Sequence, residues 1–216
     1  MYVKDWMSKN PVYLTPDDSI IEAFNAMKEG NFHRVPIVDK GKLIGLITET
    51  TLADYSPSKA TTLSVYEINS LLQKTKCGDI MIQNVVTIDP DALLEEAADK
   101  MMKYHVSCLP VISKETDMLV GIITQKVIFG AFVDLMGYYS KGSRIVVEVE
   151  EDVPGIMEKI SSVLASEGIS ISHLCVYHYN NIDIVIRVYD DDAKKVADLL
   201  INNGYKVVDS RVSQLD

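Results

Sequence analysis

The chain contains an internal duplication. A segment that runs from Asp5-Trp6-Met7 to Val35-Pro36-Ile37-Val38 returns 74 positions later as Asp79-Ile80-Met81 to Leu109-Pro110-Val111-Ile112. Two inserted residues later, Gly45-Leu46-Ile47-Thr48 returns as Gly121-Ile122-Ile123-Thr124. A duplicated unit normally packs against its copy, and the clefts between packed elements are where small molecules tend to bind. The duplication therefore predicts two related domains with candidate ligand sites between them.

Each copy is predicted to fold as strand, helix, strand, strand, helix. Ser19-Ile20-Ile21-Glu22 has the spacing of a capping box, and the apolar residues that follow recur with helical periodicity up to Gly30. The second copy keeps the same apolar face at Leu94, Ala97, Ala98 and Met101. We predict the first copy over residues 1–56 and the second over 77–137. A linker over 57–76, with a break at Ser56-Pro57-Ser58, contains a predicted helix at 65–73.

A third unit is predicted over residues 142–216. Alternating apolar residues indicate strands at 145–149, 169–179 and 182–188, and around Val207-Val208. Helices are predicted from Ile156 to Leu164, and after a cap at Asp191 or Asp192. The order is βαββαβ, a ferredoxin-like arrangement, so the chain belongs to the mixed α/β (α+β) class.

The charge distribution argues against nucleic acid as a partner. Net charges are 0 for residues 1–76, −4 for 77–141 and −6 for 142–216, giving −10 overall. Phosphate neutralisation by basic residues supplies most non-specific affinity for nucleic acid, and no basic stripe is evident. Apolar runs are too short for a membrane span, and the start is unlike a signal peptide. With three cysteines that show no paired spacing, we expect reduced thiols and a cytoplasmic location.

The repeated motifs resemble the cystathionine-beta-synthase (CBS) domain. The resemblance rests on P-V-x-L-T-P-D-D-S-I-x-E-A, H-R-V-P-I-V-D and G-L-I-T in the first copy. Two such domains in tandem are called a Bateman module. The resemblance implies a regulatory module that commonly binds AMP, ATP or another adenosyl compound, such as S-adenosylmethionine, between the copies and changes shape in response.

The resemblance also implies which residues would hold a nucleotide. The family places an aspartate for the ribose three residues after the strand-terminal Ser or Thr, but here Thr48 is followed by Thr51 and Thr124 by Val127. His33 and Arg34 match a basic pair that nucleotide-sensing members, including the regulatory subunit of AMP-activated kinase, use on phosphates. We expect one unequal site, with this pair reaching toward Thr124. The strand residues Val35, Pro36, Leu109 and Pro110 complete the predicted nucleotide-binding set.

These residues also have simpler interpretations. Thr48 and Thr124 can end strands with their hydroxyls bonded to the backbone. Arg34 can be a surface partner of Asp39 or Glu29, and such exposed ion pairs contribute little.

The third unit resembles the ACT domain, which binds amino acids or similar effectors in many metabolic enzymes. The resemblance rests on the βαββαβ order and on D-V-P-G-I-M at the first strand-to-helix turn. A proline at the helix start, a glycine without side-chain bulk and exposed helix amides together suit a carboxylate. The predicted effector site comprises Asp152, Pro154, Gly155 and Ile156. Equally, Pro-Gly makes a tight connection whether or not anything binds.

The order of two CBS domains and an ACT domain resembles the acetoin-utilisation regulatory protein family. That resemblance implies a role in controlling acetoin or butanediol breakdown. No Ser-His-Asp or Cys-His arrangement is evident, and His173 and His178 lie on opposite faces of a predicted strand. We therefore predict a non-enzymatic sensor without a cofactor or metal, which forms a homodimer. The alternative is a ligand-free module that holds a dimer or a partner enzyme.

Overall fold

The duplicated segments, up to residue 128, form the first of two units in the chain. The computed structural model describes residues 1–55, 64–151 and 153–213. These divide into Met1–Ile128 and Phe129–Asp216. The predicted break at Ser56-Pro57-Ser58 and the candidate site residue Asp152 lie outside the described residues.

The first copy forms a helix followed by a hairpin and a second helix. Its elements are α1 (Val3–Trp6), β1 (Ser8–Lys9), α2 (Ile20–Gly30), β2 (Arg34–Asp39), β3 (Lys42–Thr48) and α3 (Glu49–Tyr55). The predicted capping box is confirmed: the Glu22 amide donates to Ser19 Oγ at 3.4 Å, and the Ser19 amide donates to Glu22 Oε2 at 2.7 Å. Helix α2 is thereby fixed at its N-terminus and buries Ile20, Ala23 and Met27 against the hairpin.

The second copy repeats this arrangement after helix α4 (Val65–Lys74), which matches the helix predicted before it. Its elements are α5 (Cys77–Ile80), α6 (Leu94–Lys103), β4 (Cys108–Ile112), β5 (Leu119–Thr124) and α7 (Gln125–Leu135). Helix α6 buries Leu94, Ala97 and Met101, the counterparts of the buried residues of α2. The same apolar pattern therefore gives the same buried face in both copies.

The strand predicted at the start of each copy is observed only as short pairings, of which Leu14↔Ile37 and Ile88↔Val111 lie within one copy. Other pairings join the two copies. β1 has two residues and pairs with β5 of the second copy, through Ser8↔Ile122 and Lys9↔Gly121. Its counterpart in the second copy is reduced to an isolated bridge from Ile82 to Leu46 of β3. Each copy thus lends its opening segment to the hairpin of the other. We call this reciprocal pairing the segment exchange.

The segment exchange extends to the short helices α1 and α5. The amide of Val3 donates to the carbonyl of Ala92 at 2.9 Å, and the amide of Cys77 donates to that of Asp18 at 2.8 Å. Because these bonds run in both directions, they cross-link the two copies at equivalent points.

The second unit is a four-stranded antiparallel sheet with two helices on one face. Its elements are β6 (Ser143–Val149), α8 (Ile156–Ser166), β7 (Ile171–His178), β8 (Ile182–Val188), α9 (Ala193–Asn202) and β9 (Lys206–Val212). The strand order is β7-β8-β6-β9, so the predicted βαββαβ order is observed. As predicted, Asp192 caps α9 by accepting from the Lys195 amide at 2.9 Å. The helices cover a core that includes Ile145, Ile160 and Leu200.

Candidate functional site

A cavity of about 590 Å³ opens in the first unit, between elements of the two copies. The first copy contributes β1 and the loop after it, together with the end of α2 and the start of β2. The second copy contributes the start of β4, the end of β5 and the start of α7. The segment exchange creates this cavity, because it brings β1 alongside β5.

The charged side chains that line the cavity are cationic. Lys9, Arg34 and Lys126 carry positive charge, His33 lies beside them, and no Asp or Glu is among the lining residues. This is a local reversal in a chain whose net charge is −10. Low-dielectric walls focus such a charge, so the cavity favours an anion.

Arg34 is held by the other copy. Its guanidinium donates a hydrogen bond to the hydroxyl of Ser107, which occupies the repeat position of His33. His33 Nδ1 lies 2.9 Å from Oε1 of Glu49. Glu49 is not among the residues that line the cavity. The surface pairing of Arg34 with Asp39 or Glu29 considered from the sequence is therefore not what the described residues show.

The remaining wall is apolar. Phe32, Val12 and Ile122 line the cavity together with Pro36, which is buried. Apolar walls with a few convergent polar groups are typical of small-molecule sites. The cavity can thus accept a flat apolar group together with an anionic one.

Thr48 and Thr124 make the hydrogen bonds to the backbone that were considered as a simpler interpretation of these residues. The Thr124 hydroxyl accepts from the Val127 amide at 3.4 Å, and the Thr48 hydroxyl accepts from the Thr51 amide at 3.1 Å. Each therefore supports the start of a helix. Thr124 also lines the cavity, whereas Thr48 and Thr51 do not.

The other predicted nucleotide-binding residues separate into two groups. His33, Arg34 and Pro36 line the cavity with Thr124. The side chains of Val35, Leu109 and Pro110 are buried and lie outside the lining. Alternation along β2 and β4 places Val35 and Leu109 on the face opposite to Arg34 and Cys108, which line the cavity. Pro110 shares the face of Cys108 but lies further along β4.

Lys9, Phe32, Ile122 and Lys126 were missed by sequence reasoning. Lys126 could have been found from its position two residues after Thr124, since its counterpart after Thr48 is Thr50. Gln125 likewise replaces Glu49. Helix α7 of the second copy therefore begins with the neutral Gln125 and the cationic Lys126. Helix α3 of the first copy begins with the acidic Glu49 and the neutral Thr50.

Cys108 lines the cavity but is an unsuitable nucleophile. It is 3% exposed, and burial raises the pKa of its thiol, although Arg34 opposes that rise. Because the thiolate is the reactive form, the buried thiol stays inert. All three cysteines are unpaired.

The candidate effector site of the second unit lies at the start of α8. Gly155 is the N-cap residue with φ 90°, a conformation that favours glycine, and a side chain there would meet no heavy atom within 4 Å. Pro154 therefore precedes the cap and does not occupy the first helical position. Both residues are exposed, and Ile156 is half-buried.

The described residues contain neither a cluster of metal ligands nor a membrane-spanning helix. Within residues 1–55, 64–151 and 153–213, no three His, Cys, Asp or Glu side chains converge as metal ligands would. No helix in those ranges is long and apolar enough to cross a membrane.

Comparison with known proteins identifies the duplicated segment. The family model for the CBS domain matches twice, at residues 3–58 and 77–134. The chain is 34% identical over 126 residues to L-aspartate semialdehyde sulfurtransferase of Methanocaldococcus jannaschii, which covers 57% of this chain and 22% of that protein. The chain thus spans about a fifth of the length of this curated relative.

Two solved structures are similar over the same region. A protein of Vibrio cholerae assigned to acetoin utilization (AcuB) matches with a TM-score of 0.53 and 30% identity, covering 64% of this chain and 95% of that one. The CBS domain pair of protein MJ0100, in complex with 5′-methylthioadenosine and S-adenosyl-L-methionine, matches with a TM-score of 0.51 and 32% identity. That match covers 62% of this chain and 97% of the MJ0100 chain.

Proposed function

The chain belongs to the CBS domain family, and from this we propose that it is a regulatory protein that binds an adenosine nucleotide in the cavity between its two copies. The observation that carries the proposal is the lining of that cavity, in which Lys9, Arg34 and Lys126 meet without a carboxylate. The relative MJ0100, which binds two adenosyl compounds in its CBS pair, supports the adenosine part of the ligand.

The charge of the cavity favours AMP or ATP over S-adenosylmethionine. A phosphate gains charge-assisted hydrogen bonds from a guanidinium, whereas the sulfonium of S-adenosylmethionine would lie among like charges. We infer that Arg34 binds phosphate and that the apolar wall around Phe32 contacts the base. The ribose would depend on weaker hydroxyl contacts, because neither copy supplies the family's aspartate.

Regulation would follow from a ligand that binds one arrangement of the copies more tightly than another. A ligand shifts a conformational equilibrium only by its differential affinity for the two states. Arg34 lies on β2 of the first copy and Lys126 on α7 of the second. A phosphate held by both would therefore favour the arrangement in which they converge.

The proposal also covers the second unit and the biological role of the protein. Its βαββαβ order supports an ACT-like effector domain with a site at Pro154, Gly155 and Ile156. The similarity to the Vibrio cholerae protein supports a role in acetoin or central carbon metabolism. We propose a homodimer that regulates an enzyme and is itself no enzyme.

Thermal-shift titration of the full chain with AMP, ATP and S-adenosylmethionine tests the nucleotide proposal. Saturable stabilisation by AMP or ATP is expected, since a ligand that binds the folded state raises its stability. Arg34→Ala should remove the shift, whereas Lys28→Ala, which changes an exposed lysine outside the lining, should keep it. Circular dichroism would verify that both variants fold. No shift with any of the three compounds would refute the proposal.

A ligand-free interaction module is the second candidate. Helix α7 exposes Phe129 at 67%, Phe132 at 60% and Leu135 at 55%, and exposed apolar clusters are typical of interaction surfaces. Under this alternative, Phe132→Ser would weaken self-association in analytical ultracentrifugation while all three compounds gave no thermal shift.

A further inference from the structure

A row of basic side chains crosses the sheet of the second unit. In the β-sheet register, Arg144 of β6 lies opposite Arg187 of β8 on one side and opposite Arg211 of β9 on the other. His173 of β7 lies opposite Arg187 and extends the row to all four strands. Directly paired residues share a face of the sheet, so the three guanidinium groups meet on the face away from α8 and α9. We call them the arginine row.

Arginine is rare in this chain, and most of it lies in the arginine row. The sequence contains four arginines and 17 lysines, and three of those arginines are in this row. Lysine thus provides most of the positive charge, whereas arginine is concentrated at two places. Arginine differs from lysine in its planar fork of donors, which matches carboxylate and phosphate groups.

Two of the three guanidinium groups share one carboxylate. Asp209 accepts from Arg144 at 2.8 Å and from Arg211 at 2.8 and 3.0 Å. No other Asp or Glu of the described residues forms an ion pair with the row. The three guanidinium groups and the Asp209 carboxylate together have a net charge of +2, which no other ion pair of the described residues neutralises. Like charges directly opposite each other destabilise a sheet.

Arg187 is the member left without a carboxylate. Its Nη1 donates to the Ser213 hydroxyl at 2.8 Å, and its Nε is buried without a hydrogen-bond partner. Burial lowers the pKa of Arg187, and Arg144 lowers it further. A buried donor without an acceptor costs stability, and a charged donor costs more. An anion that accepts from this guanidinium would offset that cost.

A cavity of about 730 Å³ lies over the arginine row. It is lined by the three arginines, Tyr138, Asp209 and the hydroxyl-bearing residues Ser210 and Ser213. Tyr138 and Ser213 add hydroxyl donors that suit an oxyanion. The row lies near the start of β6, whereas the candidate effector turn follows the other end of that strand. The two candidate sites therefore lie at opposite ends of the sheet.

From these observations we propose that the arginine row binds a small dianion, either a phosphate or a dicarboxylate, with Arg187 and Arg144 as its principal ligands. The charge of two on the row matches the charge of such a ligand. Arg187 supplies the unpaired donor, and the Ser213 hydroxyl is within reach of the same anion. Asp209 competes with the ligand for Arg144.

Isothermal titration calorimetry on the full chain tests this proposal. Inorganic phosphate and succinate are titrated separately, with sodium chloride holding the ionic strength constant and acetate as the monovalent comparison. Saturable binding of phosphate or succinate, at least about tenfold tighter than acetate, is expected from a row that offers charge-assisted bonds to both ends of a dianion. Which of the two anions binds identifies the ligand class. Saturable binding of neither would overturn the proposal.

Matched variants locate the binding. Arg187→Gln and Arg144→Gln should weaken it at least about tenfold, the loss typical of one charge-assisted hydrogen bond. Lys159→Gln removes one exposed charge from α8 on the opposite face and should leave binding unchanged. Asp209→Asn should tighten it, because it removes the competing carboxylate. An equal loss in Lys159→Gln, or no gain in Asp209→Asn, would contradict the assignment.

A local readout separates this site from the nucleotide cavity. The Nε–H resonance of Arg187 should shift on adding the dianion, and it should shift equally in Arg34→Ala. The second site is therefore tested whether or not the first binds nucleotides. A shift that disappears in Arg34→Ala would place the anion in the first unit and refute the arginine row as its site.

Discussion

Gly45 leaves the space that the side chain of Met81 occupies: the methionine Cγ and Cβ lie 2.7 and 2.9 Å from the point where a larger residue would place its β-carbon. Gly121 and Met7 repeat the relationship in the other half of the repeat. Each methionine immediately precedes the residue that pairs with the other copy. Both glycines therefore allow the opposite copy to approach.

Gly45→Ala should destabilise the first unit by about 1–3 kcal/mol, the usual cost of overpacking a close contact. Met81 cannot simply turn its tip aside, because its own β-carbon is among the crowded atoms. Urea unfolding followed by the fluorescence of Trp6, the single tryptophan, measures the change. Gly130→Ala, where a β-carbon meets nothing within 4 Å, is the control and should not lower the midpoint. Equal midpoints for Gly45→Ala and the original chain would disprove the close approach.

Lys126→Thr should weaken AMP binding about tenfold, the effect of roughly 1.4 kcal/mol from one lost charge-assisted contact. The substitution gives α7 the residue that the first copy has at Thr50. Fluorescence or calorimetric titration at two salt concentrations measures the affinity, which should also become less salt-dependent. Lys28→Thr serves as the charge-matched control. If both variants bind AMP equally well, the cavity charge does not hold the phosphate.

Cys77 should resist alkylation in the folded protein. Burial raises the pKa of its thiol to about 12 from 9.0, with smaller contributions from Asp18 and Glu22. At pH 8 this change reduces the reactive thiolate about 1,000-fold. Iodoacetamide labelling followed by mass spectrometry measures the rate at each cysteine, and labelling in denaturant provides the fully reactive reference. Rapid modification of Cys77 in the native chain would show that its site is open.

Asp209→Asn should destabilise the second unit near neutral pH and have no effect in acid. The hydrogen bond from Arg211 holds the pKa of Asp209 below its usual value, and Arg144 adds to this against the opposing effect of burial. A depressed folded-state pKa contributes stability above the unfolded pKa, near 3.9, and that stability is lost as pH falls through the folded value. We expect a loss of up to about 1 kcal/mol at pH 7. Thermal unfolding of the variant and the original chain is measured at pH 7 and pH 2, with chloride as the only added anion. The two pH values compare the ionised and the protonated form of Asp209.

Lys195→Gln is the comparison for that experiment, since it removes a different carboxylate contact, from Lys195 to Asp190, in the same unit. A difference between Asp209→Asn and the original chain that persisted at pH 2 would mean that the effect is not electrostatic.

Local signals in the sequence predicted most individual elements. The Ser19-Glu22 capping box and the Asp192 cap were predicted because side chains that bond the first turn of a helix lie within three residues of each other. The buried faces of α2, α6 and α9 follow from helical periodicity in the same way. Such features depend on residues that are close together in the sequence, so the sequence alone predicts them.

Features that depend on pairing between distant segments were not predictable. Nothing in the residues of β1 indicates that its partner is β5, more than 100 positions away. The arginine row also depends on register, because Arg144, Arg187 and Arg211 are dispersed in an acidic segment. The basic residues of this stripe therefore lie side by side across the strands and are not clustered along the sequence.

The segment exchange limits the number of copies that this architecture can contain. Each copy offers one opening segment and accepts one, and in a pair both demands are met. A third copy added to the chain would bring a segment without an acceptor, and an acceptor edge without a segment. The repeat is thus closed at two, unlike a solenoid that can grow by single units, and a protein built from it can enlarge only by whole pairs.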